Sequence, residues 1–190
     1  METTILMIRH ADSPFIFGEE RTRGLSEKGE RDAKIVTEVL LSAKIDVIVS
    51  SPYTRAIQTV QGIATHHQME ILLIEGFRER QLKGAYPLPA YEIDEAIKKS
   101  FQDFDFYLPG GESIRDVQNR AIPELIHLLE EYPGKTIVVG THGNIMTIVM
   151  NYFDAQYGFD FWKSTTKPDS YQLSFVGKKL TKVQRMYLRF

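Results

Sequence analysis

The chain has 190 residues, 43% of them hydrophobic and 25% charged, with a formal net charge of -2. That is room for one ordinary globular domain, and the balance excludes both a disordered chain and a generally basic nucleic-acid binder. Cysteine is absent, which removes disulfide scaffolds, thiol nucleophiles, thiolate zinc sites and iron–sulfur clusters together and fits a reducing cytosol.

The first ten residues, METTILMIRH, have no basic n-region, and their apolar run is too short for a signal peptide or a membrane anchor. A cytoplasmic protein without membrane association is expected. The run Thr4–His10 reads as a strand buried on both faces. Residues Ser26–Ala43 place Ala33, Val36, Leu40 and Ala43 three or four apart, which lays one apolar stripe along a helix with Ser26 as its N-cap. Asp46–Ser51 is a second strand, followed by a helix over Tyr53–His66, and Ile71–Phe77 is a third strand. Ala85–Ser113, with three prolines and two adjacent glycines, is less regular and reads as a helical insertion over one end of the sheet. It carries six acidic and two basic side chains, and such a lid disfavours polyanionic substrates. Ser113-Ile-Arg-Asp opens a helix to Glu131 with a capping-box pattern, and Pro123 inside it predicts a kink or a break. Thr136–His142 is a fourth buried strand, and Ile145–Phe153 is a helix apolar almost all round. Ser170–Val176 alternates apolar and polar residues, turns at Gly177-Lys178-Lys179 and returns over Lys182–Phe190 as an antiparallel hairpin.

Alternating strands and helices give an α/β fold: a three-layer sandwich with a mostly parallel central sheet, an antiparallel edge and helices on both faces. The whole chain, 1–190, reads as one domain. Residues 163–190 hold seven Lys or Arg against one Asp. They are read first as a solvated edge protected from aggregation, and second as an electropositive approach for anionic substrates.

In open parallel sheets ligands bind at the carboxyl ends of the strands. Arg9 and His10 end the first strand, Arg55 follows the second, Glu79 follows the third, and His142 ends the fourth. Each alone is more often structural than catalytic, but four such ends on one edge form a candidate site. Guanidinium groups match phosphate oxygens bidentately, and phosphoryl transfer is mostly positioning and electrostatic stabilisation. A neutral imidazole can act as nucleophile, nearby Arg⁺ disfavours its protonation, and a carboxyl group can serve as acid and base. His66-His67 and His127 read as surface residues. No HExxH, carboxylate cluster or Walker-type loop signals a metal or nucleotide site.

Five stretches in order, Arg9-His10-Ala11, Leu25-Ser26-Glu27-Lys28-Gly29, Ser50-Ser51-Pro52-Tyr53-Thr54-Arg55-Ala56, Gly110-Gly111-Glu112-Ser113 and Thr141-His142-Gly143, resemble the signatures of the histidine phosphatase superfamily, with its phosphoglycerate mutase-like fold. The resemblance implies that His10 is the phosphorylated nucleophile, that Arg9, Arg55 and His142 form the phosphate pocket, with His142 among the catalytic residues, and that Glu79 is the acid and base. It implies no metal or organic cofactor. Ala11 stands where the family usually has Gly, and the usual Trp-Glu-Gly is missing after Arg78-Glu79. The expected activity is hydrolysis of a small phosphorylated metabolite. The alternatives are a phosphoglycerate mutase, for which the chain looks short, and a phosphoprotein or phosphohistidine phosphatase, or a binding protein, with a regulatory role. Oligomeric state is not readable.

Overall fold

The computed structural model describes residues 1–186. The chain order is β1 (Glu2–Arg9), α1 (Glu27–Leu40), β2 (Val47–Ser50), α2 (Thr54–His67), β3 (Leu72–Leu73), a 3-10 turn (Glu75–Phe77), α3 (Ala90–Gln102), α4 (Ile114–Glu131), β4 (Thr136–Thr141), α5 (Gly143–Phe153), α6 (Phe159–Ser164), β5 (Asp169–Val176) and β6 (Lys179–Arg185). The six strands form one sheet in the order β3-β2-β4-β1-β5-β6. β1, β2, β3 and β4 run parallel, while β5 and β6 are antiparallel at one edge. This is the expected sandwich.

Alternation along the strands divides the core. Ile5, Met7, Val49, Ile137 and Val139 pack under α4 and α5 in one apolar cluster, and Leu6, Ile8, Ile48 and Val138 pack in the other with residues of α1 and α2. Side chains of successive strand residues point to opposite faces, so a strand covered on both sides must be apolar at nearly every position.

Local signals act as expected at two helix starts. Ser26 caps α1 by accepting from the Gly29 amide at 3.0 Å. Ser113 and Asp116 form the reciprocal capping box of α4. Pro123, in contrast, neither breaks nor ends α4, which is a continuous 18-residue helix. Its missing N–H removes one intrahelical hydrogen bond, but the helix is held along its length by Ile114, Val117, Ala121, Leu125 and Leu128 in the core.

The third strand is shorter than its sequence reads. Only Leu72–Leu73 pair with β2, both exposed at the sheet edge, and Glu75–Phe77 turn as a 3-10 helix that drops Phe77 into the core. The expected segment 85–113 holds one helix, α3, which packs against α6 and ties to it through the Asp94–Lys163 ion pair. The hairpin is present, but its second strand starts at Lys179 rather than Lys182. Its expected last four positions, 187–190, lie outside the described residues. No helix among the described residues is long and apolar enough to cross a membrane.

Leu125 is fully buried between α4 and the sheet. Leu125→Ala is expected to cost about 2–5 kcal/mol, read as a lowered midpoint in urea unfolding. A change below about 0.5 kcal/mol, the size of an ordinary surface substitution, would contradict this packing.

Candidate active site

Because β4 lies between β1 and β2, the carboxyl ends of all three strands adjoin. The antiparallel direction of β5 brings its first residue to the same edge, where Asp169 is in register with Arg9. His10 follows β1, and its amide donates to the Thr141 carbonyl at 2.9 Å. His142, the N-cap of α5, follows β4. The two rings, 132 residues apart in the chain, have centroids 5.2 Å apart in an edge-on arrangement.

His10 is buried, and its Nδ1 lies 2.7 Å from the Ala11 carbonyl. A carbonyl only accepts, so Nδ1 carries the proton and Nε2 keeps its lone pair. Burial holds the His10 imidazole well below its usual pKa. Arg55 adds to this, as do Arg9 and Lys167, against the Ala11 carbonyl. His142 is depressed in the same direction by burial, then by His10, Arg55, Arg23 and Arg9. Both rings are therefore neutral in neutral solution.

Ser51 sets His142. Its hydroxyl accepts from the Tyr53 amide at 3.2 Å and lies 2.8 Å from His142 Nε2. In the tautomer where Ser51 donates to Nε2, the proton sits on Nδ1, which is buried without a partner in the protein. Ala11 fits its turn without strain. Its φ is not positive, and its amide donates to Thr59 Oγ1 at 3.0 Å.

Arg55 is 1% exposed, with its guanidinium 5.0 Å from the centre of the Tyr53 ring. It donates to the Glu20 carbonyl and, at 3.3 Å, to the Glu20 carboxylate. Arg9 donates to Thr165 through Nη1. Burial lowers the pKa of both arginines, and the Glu79 charge works against this in each. Glu79 lies where α5 begins: Oε1 accepts the Ile145 amide at 3.0 Å and Oε2 the Asn144 amide at 3.3 Å. A carboxylate at a helix N-terminus satisfies otherwise orphaned donors. His142 and Glu79 are thus set by the same helix start.

The backbone around Glu79 is held by Glu112. Glu112 accepts from Arg78, from Arg120 and from the Gln81 amide. Burial pushes its carboxyl up, but Arg120, Arg78 and the Gln81 amide outweigh this and hold its pKa at about 2. Arg80 bonds to the Glu112 carbonyl and to Ser100. Gly111 lets this loop close, since a Cβ there would lie 2.3 Å from the Leu82 carbonyl oxygen.

Two cations at this edge carry no motif of their own. Arg23 donates through Nη1 to the Ser13 carbonyl and hydroxyl and pairs with Glu20 at 3.3 Å. Its charge depresses both Arg55 and His142. Lys167 comes from the basic carboxyl segment, and its charge depresses His10. Other cations of that segment pair elsewhere: Lys163 with Asp94, Lys178 with Glu130 and Arg185 with Asp169. The segment is thus in part a paired edge, with the Lys167 charge near enough to act on His10. Among the described residues, the buried side-chain nitrogens without a protein partner are Nε of Arg9, Arg23 and Arg55 together with His142 Nδ1. Such groups are costly unless a ligand completes them, and three guanidiniums beside a neutral imidazole fit a tetrahedral oxyanion. Among the described residues no three His, Cys, Asp or Glu side chains gather to hold a metal ion.

A sequence model of the histidine phosphatase superfamily (branch 1) matches residues 5–178. The chain belongs to the histidine phosphatase superfamily. Among its relatives is a 2,3-bisphosphoglycerate-dependent phosphoglycerate mutase of Mesorhizobium japonicum, 27% identical over 92% of this chain and 94% of that protein. The phosphatase PhoE of Bacillus subtilis is 25% identical over 74% and 72%. The fold is shared with a mycobacterial glucosyl-3-phosphoglycerate phosphatase (TM-score 0.76, 22% identity, 97% of each chain). It is shared also with a phosphoserine phosphatase of Entamoeba histolytica (TM-score 0.77, 23% identity, 95% and 96%).

Two outcomes follow for this histidine phosphatase. The ring signals of His10 and His142 should stay in their neutral positions as pH falls through 6.5, whereas the unfolded chain takes up protons there. Stability attributable to these rings is therefore full above pH 6.5 and declines as pH drops below it. An NMR titration with either ring at an ordinary midpoint would contradict the depression. Second, a Cβ on Gly143 would lie 2.6 Å from Arg9 Cζ. Gly143→Ala should displace that guanidinium and lower kcat/KM about 10–100-fold, the size of an effect expected from a misplaced positioning group, with a nearly unchanged unfolding midpoint. Unchanged kcat/KM would contradict the placement of Arg9.

Proposed function

We propose that this member of the superfamily is a phosphomonoesterase that hydrolyses a small phosphorylated metabolite through a phosphohistidine on His10. The observation that carries the reading is the neutral, Nε2-free His10 ring set among cations whose Nε atoms have no protein partner.

The substrate phosphate binds with its oxygens toward Arg9, Arg23, Arg55 and His142 Nδ1. His10 Nε2 gives its lone pair to phosphorus while the bond from phosphorus to the ester oxygen breaks. Glu79 passes a proton from the bound phosphate monoanion to the departing alkoxide, which leaves as the alcohol. The Glu79 carboxylate then takes a proton from water, whose oxygen attacks phosphorus. The P–N bond breaks, and Glu79 returns its proton to the departing phosphate and is a carboxylate again. No step needs a metal or an organic cofactor. A chain without cysteine suits a reducing compartment, and we place this activity in the cytoplasm.

Length does not separate hydrolysis from mutase activity, since the Mesorhizobium relative named as a mutase is matched over 94% of its own length. Hydrolysis is favoured by the surroundings of Glu79. It lines a cleft of about 730 Å³ flanked by the exposed Phe15 and Phe17, so water can reach the carboxylate. A mutase must instead shield its phosphoenzyme from water.

The test is trapping with ³²P-labelled phosphate ester. An acid-labile, base-stable label that His10→Ala abolishes is expected, together with release of free phosphate. A label that persists in His10→Ala would remove His10 as nucleophile, and isomerisation of phosphoglycerate without phosphate release would replace the phosphatase by a mutase. Glu79→Gln should slow alkyl phosphates about 10²–10⁴-fold and nitrophenyl phosphate much less. Equal slowing of both would count against its role as acid.

A further inference from the structure

The Ala11 carbonyl that receives His10 Nδ1 is held from both sides by residues with no part in binding phosphate. On its amino side stands Thr59 of α2, fully buried, whose hydroxyl oxygen accepts the Ala11 amide at 3.0 Å. The hydroxyl proton itself goes to the Arg55 carbonyl, one helical turn back, at 2.7 Å. A hydroxyl has one proton to give, so what Thr59 offers Ala11 is the acceptor that an amide needs. On the carboxyl side, the Asp12 carbonyl accepts the Ser26 amide at 3.0 Å, and the Asp12 carboxylate accepts the Ser26 hydroxyl at 2.6 Å. Gly29 makes this approach possible, since a Cβ there would lie 2.1 Å from the Asp12 carbonyl oxygen.

The peptide between Ala11 and Asp12 therefore has little freedom, and its oxygen lies 2.7 Å from His10 Nδ1. A neutral imidazole can carry its proton on either nitrogen, and the bond made by one nitrogen decides which. Without the Thr59 hydroxyl the Ala11 amide becomes a buried donor lacking an acceptor. That is a costly state, and turning the backbone to relieve it takes the Ala11 carbonyl off Nδ1.

We infer that Thr59 is a positioning residue for the nucleophile: through Ala11 it keeps the His10 proton on Nδ1 and leaves Nε2 free for phosphorus. This rests on the phosphatase reading and adds to it a residue outside the phosphate pocket. It also gives the Ser26–Gly29 stretch a task, because the start of α1 holds the other end of the same short loop.

The experiment compares Thr59→Val, which keeps the shape and loses the hydroxyl, with Thr59→Ser, which keeps the hydroxyl. Thr59→Ala is the second hydroxyl-free variant, used where Thr59→Val does not fold. Three quantities are read on folded protein: the ¹⁵N NMR signals of the His10 ring, the single-turnover rate of phosphoenzyme formation from phenyl phosphate, and the affinity for inorganic phosphate. Wild type and Thr59→Ser should show one His10 tautomer, protonated on Nδ1, and the hydroxyl-free variants a mixture. In the latter the phosphorylation rate should fall about 10–100-fold, the range for a misaligned reacting group. Inorganic phosphate should still bind within about threefold of wild type, the size of an ordinary surface substitution. A merely structural Thr59 would lower the unfolding midpoint and leave the tautomer alone. A single Nδ1-protonated ring in a hydroxyl-free variant, an unchanged phosphorylation rate there, or a Thr59→Ser as slow as Thr59→Val would each overturn the inference. So would a wild-type ring protonated on Nε2. Where wild type still forms the His10 label and releases phosphate, these results remove the role of Thr59 and leave the phosphatase standing. If inorganic phosphate fails to bind wild type and no ester is hydrolysed, the phosphatase reading falls and takes this inference with it.

Discussion

The rest of the site depends on a charge problem: several cations held around imidazoles that are themselves out of water. Arg9, Arg23 and Arg55 converge on one strand edge, with Lys167 close enough to bias His10. Like charges in a low-dielectric pocket repel and are poorly hydrated. The protein offsets part of this with Glu79, which favours the charged form of both Arg9 and Arg55, and with Glu20, which pairs with Arg23 and Arg55. What remains uncompensated is positive and suited to a phosphate. The same field disfavours a proton on His10, so one arrangement supplies both the binding charge and the free base.

The fold makes that gathering possible through strand order. Placing β4 between β1 and β2 brings His10 and His142 into ring contact. The start of α5 then serves two groups, with His142 as its N-cap and Glu79 accepting its first free amides. Glu112, anchored by two arginines, holds the loop that carries Glu79. A carboxylate in a loop is thereby held by two backbone amides of α5 and by the anchored loop that carries it.

Much of this was legible from residue order. Arg9-His10 and Thr141-His142 each sit at the end of a continuous apolar run, and such runs become parallel strands because both faces are covered. Glu79 was legible for the same reason, although its strand shrinks to Leu72–Leu73 when Phe77 goes into the core from a 3-10 turn. Arg23 and Lys167 were not legible as site residues. Arg23 lies in a loop whose path is set by its bonds to Ser13, a contact with no period or spacing in the sequence. Lys167 reaches the edge only because β5 runs antiparallel to β1, and its neighbours in composition, Lys163 and Lys178, end in ordinary ion pairs. Of the kink or break that Pro123 suggested, the break does not occur, since one lost hydrogen bond is small beside the buried face of an 18-residue helix.

The most direct test of the central claim is a crystal structure with orthovanadate, which takes five ligands and imitates phosphorus in transfer. The account predicts vanadium bonded to His10 Nε2, with its equatorial oxygens in contact with the Nε atoms of Arg9, Arg23 and Arg55 and with His142 Nδ1. Vanadate bound away from His10, or bound there with those guanidiniums still unpartnered, would contradict it.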